Sequence, residues 1–138
     1  MSKVFLAALV AALAVPALAA SSSPQSGFYG CRTYTSKHPV AVVRPHSIVV
    51  ACADGNFYLT RLSWTSWAAA KAVAAGTGHQ NDCTPNCAAG HFHTYPADVS
   101  LTKPRTCAGH KVFTTLSWRF TKPTPKGIAL SGATTFSC

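Results

Sequence analysis

From residue 47 onward, apolar and polar positions mostly alternate, and that pattern predicts strands. Ser47–Cys52 is a β-branched run and Asp54-Gly55 a turn dipeptide; Phe57–Trp67 then resumes as a strand, so the two runs predict a hairpin. On a regular strand, Leu62, Trp64 and Ser66 share one face, and Ser63, Thr65 and Trp67 the other. Lys111–Thr121 alternates best. Val112, Thr114, Leu116, Trp118 and Phe120 fall on one side, and Phe113, Thr115, Ser117 and Arg119 on the other. Phe92–Leu101 is a further strand, with Pro96 expected to bend it or confine it to a sheet edge. Pro123–Gly127 reads as a turn before a closing strand within Ile128–Cys138. Trp67–Ala75 has high helix propensity, with Ser66 as a candidate cap, but its neighbours are all β, so a strand is favoured. About seven short strands separated by turns predict an all-β domain, a small sandwich or barrel. Cys52, Trp64 and Cys107 follow the order of an immunoglobulin-like core. Arg105 stands where that core has a tyrosine, so only the architecture is kept.

The first 19 residues break the β pattern. Lys3, the apolar run Phe5–Val15, Pro16 and the small-residue site Ala17-Leu18-Ala19 read as a secretory signal peptide. The run is too short to span a bilayer, and no second long apolar segment follows, so no transmembrane segment is expected after cleavage. Residues 20–27 are small and polar and read as a disordered lead-in. Residues 28–138 then form a single β domain within a mature chain of about 120 residues, enough for its own core. The expected location is secreted, outside the cell.

Export changes the reading of the cysteines. Cys31, Cys52, Cys83, Cys87, Cys107 and Cys138 all follow the signal, and an even count in an oxidising compartment predicts three disulfides. Spacing does not choose among the pairings. Cys31 and Cys138 lie near the two ends and are expected to tie them together, leaving the inner four to pair among themselves.

The segment His79–Tyr95 holds Cys83, Cys87, His79, His91 and His93. Metal ligation is one reading: His91 and His93, two apart on a strand, share a face, and His79 with the cysteines would suit zinc. A disulfide-stapled loop is the other. Export disfavours thiolate ligands, and the spacing is not that of a zinc finger, so the staple is preferred and no cofactor is implied.

Charge narrows the partners. Twelve Lys and Arg face three acids, Asp54, Asp82 and Asp98, for a formal net charge of +9. Such a surface attracts polyanions, although the basic residues are scattered. Three acids leave little room for a paired-carboxylate glycosidase. No Gly-x-Ser-x-Gly elbow or glycine-rich phosphate loop occurs. A ribonuclease-like site could draw on His79, His91, His93 and His110 with Lys111 or Arg105, but no spacing selects a pair. Trp64, Trp67 and Tyr95, with Phe57 and Tyr58, are the candidate binding aromatics; an odd spacing puts Trp64 and Trp67 on opposite faces, one of them in the core.

The order Cys52-Ala-Asp54-Gly-Asn56, Leu62-Ser-Trp64-Thr-Ser-Trp67, Asn81-Asp-Cys83-Thr-Pro-Asn-Cys87-Ala-Ala-Gly90 and Tyr95-Pro96 resembles a group of small secreted actinobacterial proteins. The likeness spans about residues 46–121, and its most specific part is the block from Cys83 to Gly90. It implies export and a cysteine-stapled fold. The group has no established activity, so it adds no catalytic residue. The expected function is that of a monomeric binding or interaction protein outside the cell, its partner an anionic cell-envelope polymer or another protein. A basic, histidine-based secreted hydrolase is the alternative, and a metal-binding protein the third reading.

Overall fold

The computed structural model describes residues 24–138. The expected signal peptide lies outside the described residues. Seven strands and one helical turn follow in the order β1 (Gly27–Phe28), α1 (Arg32–Thr35), β2 (Ile48–Val49), β3 (Phe57–Trp67), β4 (Ala72–Asn81), β5 (Phe92–Cys107), β6 (His110–Phe120) and β7 (Ser131–Thr135). They form one sheet in the order β1-β6-β5-β4-β3-β2, with β7 also on β6. All pairings are antiparallel except β1 with β6. β1 and β7 share the outer edge of β6 end to end, at Val112–Phe113 and Thr115–Arg119 respectively.

The sheet curls into a half-barrel around its apolar face. Phe57 on β3 touches Trp118 and Phe120 on β6, at ring separations of 4.8 and 6.0 Å, although two strands lie between them in the sheet. Phe28, Leu59, Leu101, Phe113, Leu116 and Phe120 are the innermost large side chains. The fold is all-β and disulfide-stapled, and the hairpin of β2 and β3 forms with Ile48 opposite Leu59.

Several local expectations change. Gly27 is already in β1 and Ser26 is fully buried, so the lead-in ends before them. Ser26 Oγ donates to the Ala69 carbonyl, and its own carbonyl accepts from Trp67 Nε1, which anchors this segment. Pro96 sits in the middle of the sheet, because β5 pairs with both β4 and β6. It does so where β6 ends: Thr121 N donates to the Pro96 carbonyl, so the missing proline N–H falls at the last rung of the β5–β6 ladder. The segment from Trp67 divides into the end of β3, a turn closed by Ala68 N to the Lys71 carbonyl, and β4, where Ala72 and Ala74 are buried.

Trp64 and Trp67 are not on opposite faces. Pairing of β3 with β4 slips between Thr60 and Ser63 and again between Trp64 and Ser66. Each slip is a β-bulge, in which an extra residue resets the alternation. Phe57, Leu59, Leu62, Trp64 and Trp67 therefore all face inward, and the two indoles meet edge to face at 4.5 Å. At Lys103, which has φ +51°, the β5–β6 ladder is interrupted without a change of register, and Thr114 Oγ1 donates to the Lys103 carbonyl. Phe113, expected outside, is thereby turned into the core against Trp67.

The disulfide pairing also differs from expectation. The bonds are Cys31–Cys52, Cys83–Cys87 and Cys107–Cys138. Cys31 follows β1 and lies beside β2, its Sγ 3.1 Å from the Val49 carbonyl oxygen, so its near partner is Cys52, just past β2. Cys138 follows β7, which runs antiparallel to β6 towards the β5–β6 turn that holds Cys107. Strand direction, not closeness to the chain ends, sets the partners.

Candidate functional site

The histidine- and cysteine-rich segment forms a stapled loop between β4 and β5. Asn81 and Asp82 organise it. The buried Asn81 amide donates to Asn56 Oδ1 and the Cys87 carbonyl, and its Oδ1 accepts from Cys83 N. Gly90 passes so close that a Cβ there would lie 2.2 Å from that oxygen. The Asp82 carboxylate accepts from the backbone N–H groups of Thr84 and His91, at 3.1 and 3.0 Å, and from His93 Nε2 at 2.8 Å. The bond from His93 and the two from the backbone hold the Asp82 pKa down to about 2.

Cys83 and Cys87 are joined, so neither offers a thiolate. His79 pairs with Thr94 across the sheet, whereas His93 pairs with Gln80. Adjacent strand positions face opposite ways, so His79 and His93 lie on opposite faces of the sheet. His91 is exposed and shares no metal with them: among the described residues, no group of three His, Cys, Asp or Glu is placed to hold an ion. The histidine pair of a ribonuclease-like site does not assemble across β5 either. His110, Lys111 and Arg105 stand at the β5–β6 turn, while His91 and His93 stand at the other end of β5, roughly 45 Å away along the strand.

Of the three candidate binding aromatics, Trp67 and Tyr95 are interior, at 6% and 9% exposure. Trp67 is held by Ser26 and Phe113, and Tyr95 lies 4.9 Å from Phe120. Trp64 alone reaches a surface. It lines an open cleft of about 450 Å³ with Arg44, His46, Arg61, Leu62 and Ser63. The first bulge of β3 creates this cleft, because it turns Arg61 outward between two inward-facing residues, Leu59 and Leu62. The loop before β2 supplies the opposite wall. It is fixed by Leu62 N donating to the His46 carbonyl and Trp64 Nε1 donating to the Pro45 carbonyl.

Arg44 and Arg61 both have left-handed backbone, at φ +51° and +52°. That conformation is uncommon outside glycine and costs on the order of 1–3 kcal/mol for each such residue. Both arginine side chains are exposed, and no acid answers either one. Among the described residues the only ion pair is His93 with Asp82. Asp54 accepts from Asn56 N in its own turn, and Asp98 lies opposite Arg119. Arg61 Nη2 donates to Thr77 Oγ1 at 3.0 Å. The cleft is therefore a cationic site with one indole wall, suited to an anion carried on a larger molecule.

Sequence reasoning found Trp64 but missed Arg44, His46 and Arg61. One signal was readable. The apolar positions 57, 59, 62, 64 and 67 are spaced by two, three, two and three residues, which is the mark of two bulges in one strand.

No protein-family model, curated protein or solved structure matches this chain. All six cysteines are paired, as suits an oxidising compartment, and among the described residues no helix is long and apolar enough to cross a membrane.

Proposed function

We propose that this is an exported binding protein that takes an anionic polymer, such as a cell-envelope polyanion, at the cleft of Arg44, His46, Arg61 and Trp64. The observation that carries this reading is the pair of arginines with no acidic partner in the cleft that Trp64 lines. The excess of Lys and Arg over acids favours the encounter, and the clustered guanidinium groups give it a place to end. Export follows from the signal-like first 19 residues and agrees with the disulfides, as does the likeness to small secreted actinobacterial proteins.

Long-chain inorganic polyphosphate serves as the test polymer. Its binding, followed by tryptophan fluorescence, should weaken steeply between about 50 and 200 mM salt, as charge-driven binding does. Replacing both Arg44 and Arg61 by Ala should weaken it about tenfold or more, since each charge-assisted bond is worth roughly 1.5–3 kcal/mol. Binding indifferent to salt and to the double replacement would overturn the proposal.

A further inference from the structure

The outer face of the sheet carries aromatic surface next to the cleft, on strands whose other outward residues are mostly threonine and serine. Tyr58 on β3 and His79 on β4 are cross-strand partners, and their rings stack at 4.5 Å with an interplanar angle of 6°. Phe92, at the start of β5, lies 5.6 Å from Tyr58 and is 48% exposed. Val49, opposite Tyr58, is 45% exposed.

Arg61 joins this strip to the cleft. It lines the cleft, and its guanidinium reaches Thr77 on the outer face of β4, two residues before His79. His79 itself is tied to Thr60 by a 2.8 Å bond to its Nε2. Burial, and secondarily the charge of Arg61, lower the His79 pKa, which favours the neutral ring in the stack. Cations and rings therefore follow one another on the outer face: Arg61 at the cleft, then Tyr58 with His79, then Phe92, while Trp64 lines the cleft from the inward side of β3.

The acids do not oppose this path. Asp82 is bonded to His93, whose side chain leaves the sheet on the opposite face from Phe92. Asp98 is on the same face as Phe92 but six residues further along β5, about 20 Å away, and opposite Arg119.

A polyphosphate or an anionic glycan would engage the cations and leave the exposed rings unused. A polymer with a phosphate and a flat base in every repeat would engage both. We infer that the anionic polymer of this surface is a single-stranded nucleic acid, with its phosphates at Arg44 and Arg61 and its bases against the outer-face rings of Tyr58 and Phe92. This rests on the polymer-binding reading above and narrows it. Stacking on aromatic side chains beside a positive groove is tolerant of sequence and is how such strands are held without base-specific contacts. A duplex, whose bases are already stacked, would gain only the charge term.

Three probes of equal phosphate number separate the two levels of the proposal: a twelve-residue oligothymidylate, the same backbone without bases, and a polyphosphate of twelve units. The oligothymidylate should bind at least tenfold more tightly than the other two. Phe92→Ala, an exposed position, should weaken oligothymidylate binding roughly 5- to 100-fold, given about 1–3 kcal/mol per stacked base. It should leave polyphosphate binding unchanged, and circular dichroism would confirm that the variant is folded. Equal affinity for all three probes would overturn the nucleic-acid inference while the polyanion reading stands. Equal weakening of all three by Phe92→Ala would overturn it as well. Failure of all three to bind at low salt would remove both proposals.

Discussion

Asp82 does more for the local structure than its exposure implies. One carboxylate gathers the two ends of the stapled loop and the first inward side chain of β5. Its pKa is lowered from 3.8 to about 2, so the folded state prefers the charged form more than the unfolded chain does. A depressed carboxylate pKa contributes stability that is present above the unfolded value and is lost as pH falls through the folded one. The window is therefore between about pH 4 and pH 2. In urea titrations Asp82→Asn should be less stable than the native protein at pH 5, and the gap should narrow steadily towards pH 2. A gap that stays constant across that range would mean that the carboxylate's charge does not hold the loop. Beside Cys83, Asp82 reads in the sequence as a loop cap, but its reach to His91 and His93 does not show there. It depends on Thr84, His91 and His93 meeting at one point, which only the turn between β4 and β5 brings about.

The elements were more legible than their faces. β3 is bounded as its alternation predicts, and the strand at Lys111–Thr121 forms as β6 with one residue's difference at each end. Alternation failed wherever a bulge or a left-handed residue intervened, at Arg61, between Trp64 and Ser66, and at Lys103. Those same breaks displaced Trp67 and Phe113 from their expected faces and produced the cleft. A periodic pattern reports regular strand, so the irregular positions that shape the site were the least visible. Proline likewise misled, because Pro96 is tolerated at the last rung of a ladder inside the sheet. β4 shows the opposite case, a strand whose composition looked helical. Its small residues are there for closeness: a Cβ on Gly78 would lie 2.4 Å from Phe120 Cε1, and one on Gly76 2.8 Å from Leu62 and from the Thr60 carbonyl. Gly78→Ala should therefore cost about 1–3 kcal/mol through overpacking. Thr94→Ala, on the exposed face of the neighbouring strand, should change stability by about 0.5 kcal/mol or less. Chemical denaturation of both variants checks this, and a neutral Gly78→Ala would show that β3 and β6 do not close over β4 as tightly as described.

At the scale of the whole molecule, a half-barrel has ends to secure. β1 and β7 come from opposite ends of the described chain, yet both lie on the same edge of β6, and Phe28 meets Phe136 there at 5.2 Å. The last strand has only five residues and no neighbour but β6, so pairing alone holds it weakly. Cys107–Cys138 compensates by fastening the end of the chain to the β5–β6 turn. It also spans the longest of the three loops, with a sequence separation of 31 against 21 for Cys31–Cys52 and 4 for Cys83–Cys87. Loop-closure entropy then ranks the bonds at about 3.7, 3.3 and 1.9 kcal/mol respectively. The three paired Cys→Ser variants should lose stability in that order in guanidinium titrations. The Cys107–Cys138 variant should also lose protection from hydrogen exchange in β7 first, whereas loss of Cys83–Cys87 should loosen only the loop that Asn81 and Asp82 already hold. If removal of Cys83–Cys87 proved the most damaging, the loop would be a cornerstone of the fold rather than a stapled excursion from it.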